Sequence, residues 1–80
     1  MKKTTKDELF LIKLHELALI QGDAFHTINK YAVGREIGQN ERGVDNIVRH
    51  LAQANFVKKE EENGVYLTQN GLNLVTLLKE

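Results

Sequence analysis

The chain predicts a small α+β domain, mainly helical, with a three-helix core, a β-hairpin and a closing C-terminal helix. Three observations predict it. Between Val33 and Leu51 the sequence VGREIGQNERGVDNIVRHL holds two amphipathic stretches on either side of Gly38. Val33 and Ile37 fall four apart before that glycine, and Val44, Ile47, Val48 and Leu51 follow it at helical spacing, as in two short helices packed across a tight turn. Next, FVKKEEENGVYLT sets two short β-prone runs around Asn63-Gly64, the pattern of a hairpin. Finally, the first and last segments are broadly apolar and unbroken by proline.

Taken in order, Asp7 or Thr5 can cap a first helix running to about Gln21, with Glu8 favourable in its first turn. Gln21-Gly22-Asp23 ends it, because glycine takes the left-handed conformation cheaply. Leu9, Ile12, Leu17 and Ile20 are expected to supply its core stripe. Phe10, Leu11, Leu14, Ala18 and Leu19 spread apolar character further round, which implies neighbours on two sides. Ala24 to Thr27 is expected to form a single extended bridge. Thr27 or Asn29 caps the second helix, which ends at Gly38. Asn40 caps the third, Glu41 suits its positive end, and the helix runs to roughly Asn55.

In the hairpin, Phe56-Val57 begins one strand and Val65-Tyr66-Leu67 forms the other. Val57 shares a sheet face with Val65 and Leu67 only if the loop has an odd number of residues. The expected loop is therefore Glu62-Asn63-Gly64, with Gly64 left-handed. Thr68 caps the last helix, which turns Leu74, Val75 and Leu78 inward. Residues 1–80 thus make one domain, with residues 1–4 expected to fray.

With 80 residues, the core is too thin for an elaborate buried active site. Apolar residues make up 41% and charged residues 28% of the chain, a globular balance. It contains neither cysteine nor serine, so thiolate metal sites, disulfides and the common acyl-transfer nucleophiles are missing. His15, His26 and His50 lie in separate elements without metal-ligand spacing, and Gly34, Gly38 and Gly43 do not follow a strand as a phosphate loop would. No enzyme, cofactor or metal is expected. The basic-then-apolar start lacks an uninterrupted h-region, and no stretch is long enough to span a bilayer, so a cytoplasmic protein is expected.

The element order, with VGREIGQNERGVDNIVRHL at its centre and LTQNGLNLVTLL at its end, resembles the winged helix-turn-helix domains of prokaryotic transcription regulators, in the broad MarR-, PadR- and ArsR-like group. The resemblance covers nearly the whole chain. Gly38 matches the turn glycine, and Gly34 matches the small residue that lets the helices approach. Val33, Ile37, Val44 and Val48 match the apolar packing positions. LAQANFV resembles the passage from the recognition helix into the wing, and Leu67-Thr68 with Gly71 resembles the entry to the helix behind it. Two positions depart from the pattern. Gln39 stands where an apolar residue is usual, and Glu60 to Glu62 occupy a hairpin tip that is usually basic.

The resemblance implies a DNA-binding transcription regulator whose third helix enters the major groove of double-stranded DNA. Arg42, Asn46 and Arg49 form one outward stripe at spacings of four and three. Arginine can pair bidentately with guanine and asparagine with adenine. Gln39 and Asn40 at the helix start could reach a phosphate, as could Lys58 and Lys59 on the wing. Lys30, Tyr31 and Arg35 on the second helix, and the arm Lys2, Lys3 and Lys6, are weaker candidates of the same kind. The competing account of the stripe is a solvated face with Arg42 paired to Asp45. The last helix carries more apolar residues than one face needs, so a homodimer is expected, with Leu72 and Leu77 in its interface. Net charge is zero, which removes the usual electrostatic help for DNA binding. An alternative is therefore kept: a winged-helix module that binds another protein and not DNA.

Overall fold

Local side-chain chemistry sets where each helix begins. In the computed structural model, which describes residues 4–80, helix α1 spans Lys6–Gln21 and opens on a reciprocal capping box. Thr5 Oγ1 accepts from the Glu8 amide at 3.1 Å, and Glu8 Oε1 accepts from the Thr5 amide at 2.9 Å. Asn29 caps α2 (Lys30–Glu36) by accepting from the Tyr31 and Ala32 amides. Asn40 caps α3 (Glu41–Gln53) through the Gly43 amide at 2.8 Å, and Thr68 caps α4 (Gln69–Leu78) through the Gly71 amide at 3.0 Å. Thr68 also donates its hydroxyl to the Asn55 carbonyl at 2.6 Å, tying the start of α4 to the end of α3.

The first three helices stop in the same way. Gly22 (φ 133°), Gly38 (φ 74°) and Asn55 (φ 64°) each reverse the chain. The following amides, of Asp23, Gln39 and Phe56, bond back to the carbonyls of Ala18, Gly34 and Leu51. These are Schellman closures, which satisfy carbonyls that the helix itself leaves free. Asparagine tolerates the left-handed region better than other side chains, so Asn55 ends α3 two residues after its last helical residue.

Three short strands form one antiparallel sheet in the order β1-β3-β2, where β1 is Ile28–Asn29, β2 is Val57–Glu60 and β3 is Gly64–Leu67. The architecture is a small α+β fold of four helices and this sheet, and mainly helical. Val57 pairs with Leu67 and Glu60 with Gly64, leaving the odd loop Glu61-Glu62-Asn63. Val57, Val65 and Leu67 accordingly share the buried face. The loop starts one residue earlier than expected, and Glu61 (φ 58°), not Gly64, takes the left-handed position. Gly64 serves a different need. A Cβ there would lie 2.5 Å from the Glu60 carbonyl oxygen and 2.7 Å from Thr27 Cγ2. Its bareness lets Thr27 donate to Glu60 Oε1 at 2.8 Å.

The first strand also falls later than the expected Ala24 to Thr27. Asp23 draws that segment into a turn, accepting from Phe25 N on its carboxylate at 2.7 Å and from His26 N on its carbonyl at 3.2 Å.

Helix α1 supplies a different stripe from the one its sequence suggested. Phe10, Leu11, Leu14 and Ala18 are fully buried, with Leu17 packed beside them, whereas Leu9 and Ile20 face outward. They join Val33, Val44, Ile47, Val48, Leu51, Val57, Val65, Leu67 and Val75 in one core. On α4, Val75 is buried and Leu74 and Leu78 are half-buried. Each fully buried large side chain contributes about 1.5–3 kcal/mol relative to exposure. Among the described residues, no buried side-chain polar atom lacks a hydrogen-bond partner, and no helix is long and apolar enough to cross a membrane. Lys2 and Lys3 of the expected basic arm lie outside the described residues.

Candidate nucleic-acid interface

Helices α2 and α3 meet closely because Gly34 has no side chain. A Cβ at that position would overlap Val44 Cγ2 and stand 3.5 Å from the Gln39 carbonyl oxygen. The same approach buries Val33 and Gly34 on α2 against Val44, Ile47, Val48 and Leu51 on α3. With that stripe of α3 turned inward, helical periodicity fixes what faces out. Arg42, Asn46 and Arg49 stand exposed on the opposite side, and Gln53 continues the row one turn further on. Gln53 extends the sequence stripe by the same spacing and could have been read from it.

These side chains differ in how free they are. Among the described residues Arg42 has no hydrogen-bond or ion-pair partner. Arg49 Nη2 donates to Asn46 Oδ1 at 3.0 Å, so the two hold each other on the helix surface. Asn40 is exposed, but its side-chain oxygen is engaged as the cap of α3. Gln39 is half-buried and folds back over Gly43, its Oε1 2.5 Å from where a Cβ on that glycine would be.

Asp45 pairs with partners that its position in sequence did not announce. Its Oδ1 accepts from Lys30 Nζ at 3.1 Å and from the Tyr31 hydroxyl at 2.9 Å, and the Lys30 ammonium sits 5.1 Å from the Tyr31 ring centre. The hydrogen bond from Lys30, then that from Tyr31, holds the Asp45 carboxyl below its usual range. Burial pulls the Lys30 ammonium down, but the Asp45 carboxylate outweighs it and leaves its pKa raised. The Tyr31 phenol is raised chiefly by donating to Asp45. This clasp fastens α2 to α3 and neutralises the acid nearest the arginine row. It also engages Lys30 and Tyr31, so of the three α2 candidates only Arg35 is exposed without such a bond.

Lys58 and Lys59 are both exposed on β2 but point to opposite faces of the sheet. Lys59 stands across from Val65 on the face that packs on the helices, and its charge contributes to lowering the Asp45 pKa. Lys58 stands across from the half-buried Tyr66 on the outer face. The hairpin tip is acidic and exposed, but Glu60 is held by Thr27 rather than projecting freely.

The histidines do not converge. His15 Nδ1 lies 3.3 Å from Lys79 Nζ, and burial followed by the Lys79 charge lowers its pKa. His50 faces Asp7 across a loose 3.9 Å contact. Among the described residues no three His, Asp or Glu side chains gather as metal ligands would. At the expected dimer surface, Leu77 is 66% exposed and Leu72 half-buried. Compared with protein-family models, with curated proteins and with solved structures, the chain matches none.

Proposed function

We propose that this chain is a winged helix-turn-helix DNA-binding domain, a cytoplasmic transcription regulator that acts as a homodimer and lays α3 in the major groove. The observation that carries the reading is the row Arg42, Asn46, Arg49 and Gln53, displayed opposite the buried face of α3 with its neighbouring acid already neutralised by Lys30. Guanidinium and amide groups in one row are what base edges in that groove can read. The hairpin β2–β3 corresponds to the wing, with Lys58 and Lys59 on opposite faces, so one lysine at most can follow a given phosphate strand. Glu61 and Glu62 at the tip would repel a backbone within about 10 Å, so the wing tip lies away from the duplex in this reading. Two copies would place their recognition helices about 34 Å apart, or at a multiple of that distance.

The test is a mobility-shift titration at low salt with random-sequence duplex, followed by selection of the bound sequences. Replacing Arg42 and Arg49 together by alanine, with the fold checked by circular dichroism, should weaken selected-site binding by about tenfold or more. It should also flatten the dependence on salt. Absence of any binding at low salt, or full affinity in the double variant, overturns the assignment. The first of these outcomes would favour the protein-binding module, to which the neutral charge and acidic hairpin tip are better suited.

A further inference from the structure

Helix α1 exposes an unusually apolar outer side. Leu9 is 42%, Leu19 51% and Ile20 76% exposed, whereas Phe10, Leu11, Leu14 and Ala18 are buried. Between Leu9 and Ile20 on the same side lie Lys13 and Glu16, bonded to each other at 3.0 Å and only partly exposed. The order Leu9, Lys13, Glu16, Ile20 runs at spacings of four, three and four, so all four side chains lie along one face. The spacing is the same in either direction, and its midpoint falls between Leu14 and His15. An apolar residue stands at each end and opposite charges stand at the centre.

We infer that this face pairs with the same face of a second copy, α1 against α1 in antiparallel fashion, about a two-fold axis at that midpoint. The axis sets Leu9 on Ile20 of the partner and Ile20 on the partner's Leu9. It also places each Lys13 beside the other copy's Glu16, so the two ion pairs merge into a network of alternating charge. A two-fold interface must be self-complementary, and this face is so in both shape class and sign of charge. A foreign partner would need no such symmetry. The exposed part of one 16-residue helix falls short of the roughly 800 Å² per partner of a standard interface. The dimer is therefore of modest affinity and dissociates on dilution.

This deepens the dimeric part of the proposed function and rests on it only for its bearing on DNA; the experiment contains no DNA, so the two can fail separately. Sedimentation equilibrium of the full chain over micromolar to near-millimolar concentrations should show a monomer–dimer equilibrium. Ile20→Glu, at a position too exposed to be needed for folding, should weaken it about tenfold or more. Lys13→Glu and Glu16→Lys should each be weakened alone through like-charge contact, and mixing the two variants should restore a heterodimer. A chain that stays monomeric throughout overturns the inference. So does a dimer indifferent to Ile20→Glu, or a mixture of the two charge variants that fails to associate. A dimer lost on Leu77→Glu but not on Ile20→Glu would move the interface to α4 and overturn it equally.

Discussion

Replacing Gly34 by alanine tests the packing on which the whole α3 surface depends. Glycine to alanine inside a helix normally stabilises, by about 0.8–1.0 kcal/mol. Here the added methyl would overlap Val44 Cγ2. Val44 is 1% exposed and lies in the middle of the core, and a valine in a helix has one strongly preferred rotamer. It has no easy way to give. Overpacking of this kind costs about 1–3 kcal/mol, so the net effect is a loss of up to about 2 kcal/mol once the propensity gain is subtracted. For a domain of this size that corresponds to a fall in Tm of up to about 15 °C. Thermal and urea unfolding followed by circular dichroism would measure it. A second variant isolates the cause. In a Val44→Ala background the clashing methyl is gone and the next contact, at 3.5 Å, is ordinary, so Gly34→Ala should there be neutral or stabilising. Coupling of about 1–3 kcal/mol between the two positions, the size of the overpacking term, is the expected result. A rise in Tm for Gly34→Ala in the wild-type background would refute the reasoning, because it would mean that α2 and α3 do not approach this closely.

Asp45→Asn should lower stability at neutral pH by under about 1 kcal/mol, since the Lys30 pair is partly exposed to water. Because the native carboxyl is held below its usual range, its contribution is present above the unfolded pKa and is lost as pH falls through the native one. The urea midpoints of wild type and variant should therefore converge in strong acid, and equal midpoints at neutral pH would remove the clasp as a stabilising element. Glu61→Gly should raise stability by about 0.5 kcal/mol, because a non-glycine residue at φ 58° carries a steric penalty that exceeds the entropy cost of glycine. A lowered Tm for that variant would contradict the loop geometry.

What could be read in the sequence was local. Thr5, Asn29, Asn40 and Thr68 cap because a short polar side chain one residue before a helical pattern can reach the free amides, whatever the rest of the chain does. Gly22 and Gly38 follow by the same logic at the other ends. The odd hairpin loop was also legible, because alternation ties Val57 to Val65 and Leu67. The failures are tertiary. Apolar residues surround α1, so periodicity could not choose between Leu9 with Ile20 and Phe10 with Leu14; only the position of the other elements does. The Asn63-Gly64 turn signal was outweighed by the need for a bare Gly64 beneath Thr27, thirty-seven residues earlier in the chain. At the candidate interface, the row of Arg42, Asn46 and Arg49 follows from helical spacing alone. The bond from Tyr31 to Asp45 spans fourteen positions and exists only because Gly34 brings α2 onto α3.

The zero net charge bears differently on the proposed function once the acids are located. A domain without net charge gains little long-range steering toward DNA. At contact distance, however, Asp45 is matched by Lys30, and the free acids of the hairpin sit at its tip. The two arginines on the outer side of α3 thus have their neighbouring acid Asp45 already paired, while Glu41 stays exposed in the first turn of the helix. Two arginines and two amides from one copy would support weak DNA binding at best, because each good base contact discriminates by only about 1–3 kcal/mol. Linking two such faces makes the second contact intramolecular and multiplies affinity without any new bond. Under the proposed function, a weak α1–α1 dimer and a weak α3–DNA contact would be two parts of one equilibrium: operator DNA that holds two copies would draw monomers together, and the saturation curve would steepen with protein concentration. In that case the absence of net charge would be a source of selectivity, since a single copy would lack the electrostatic affinity to stay on arbitrary sequence.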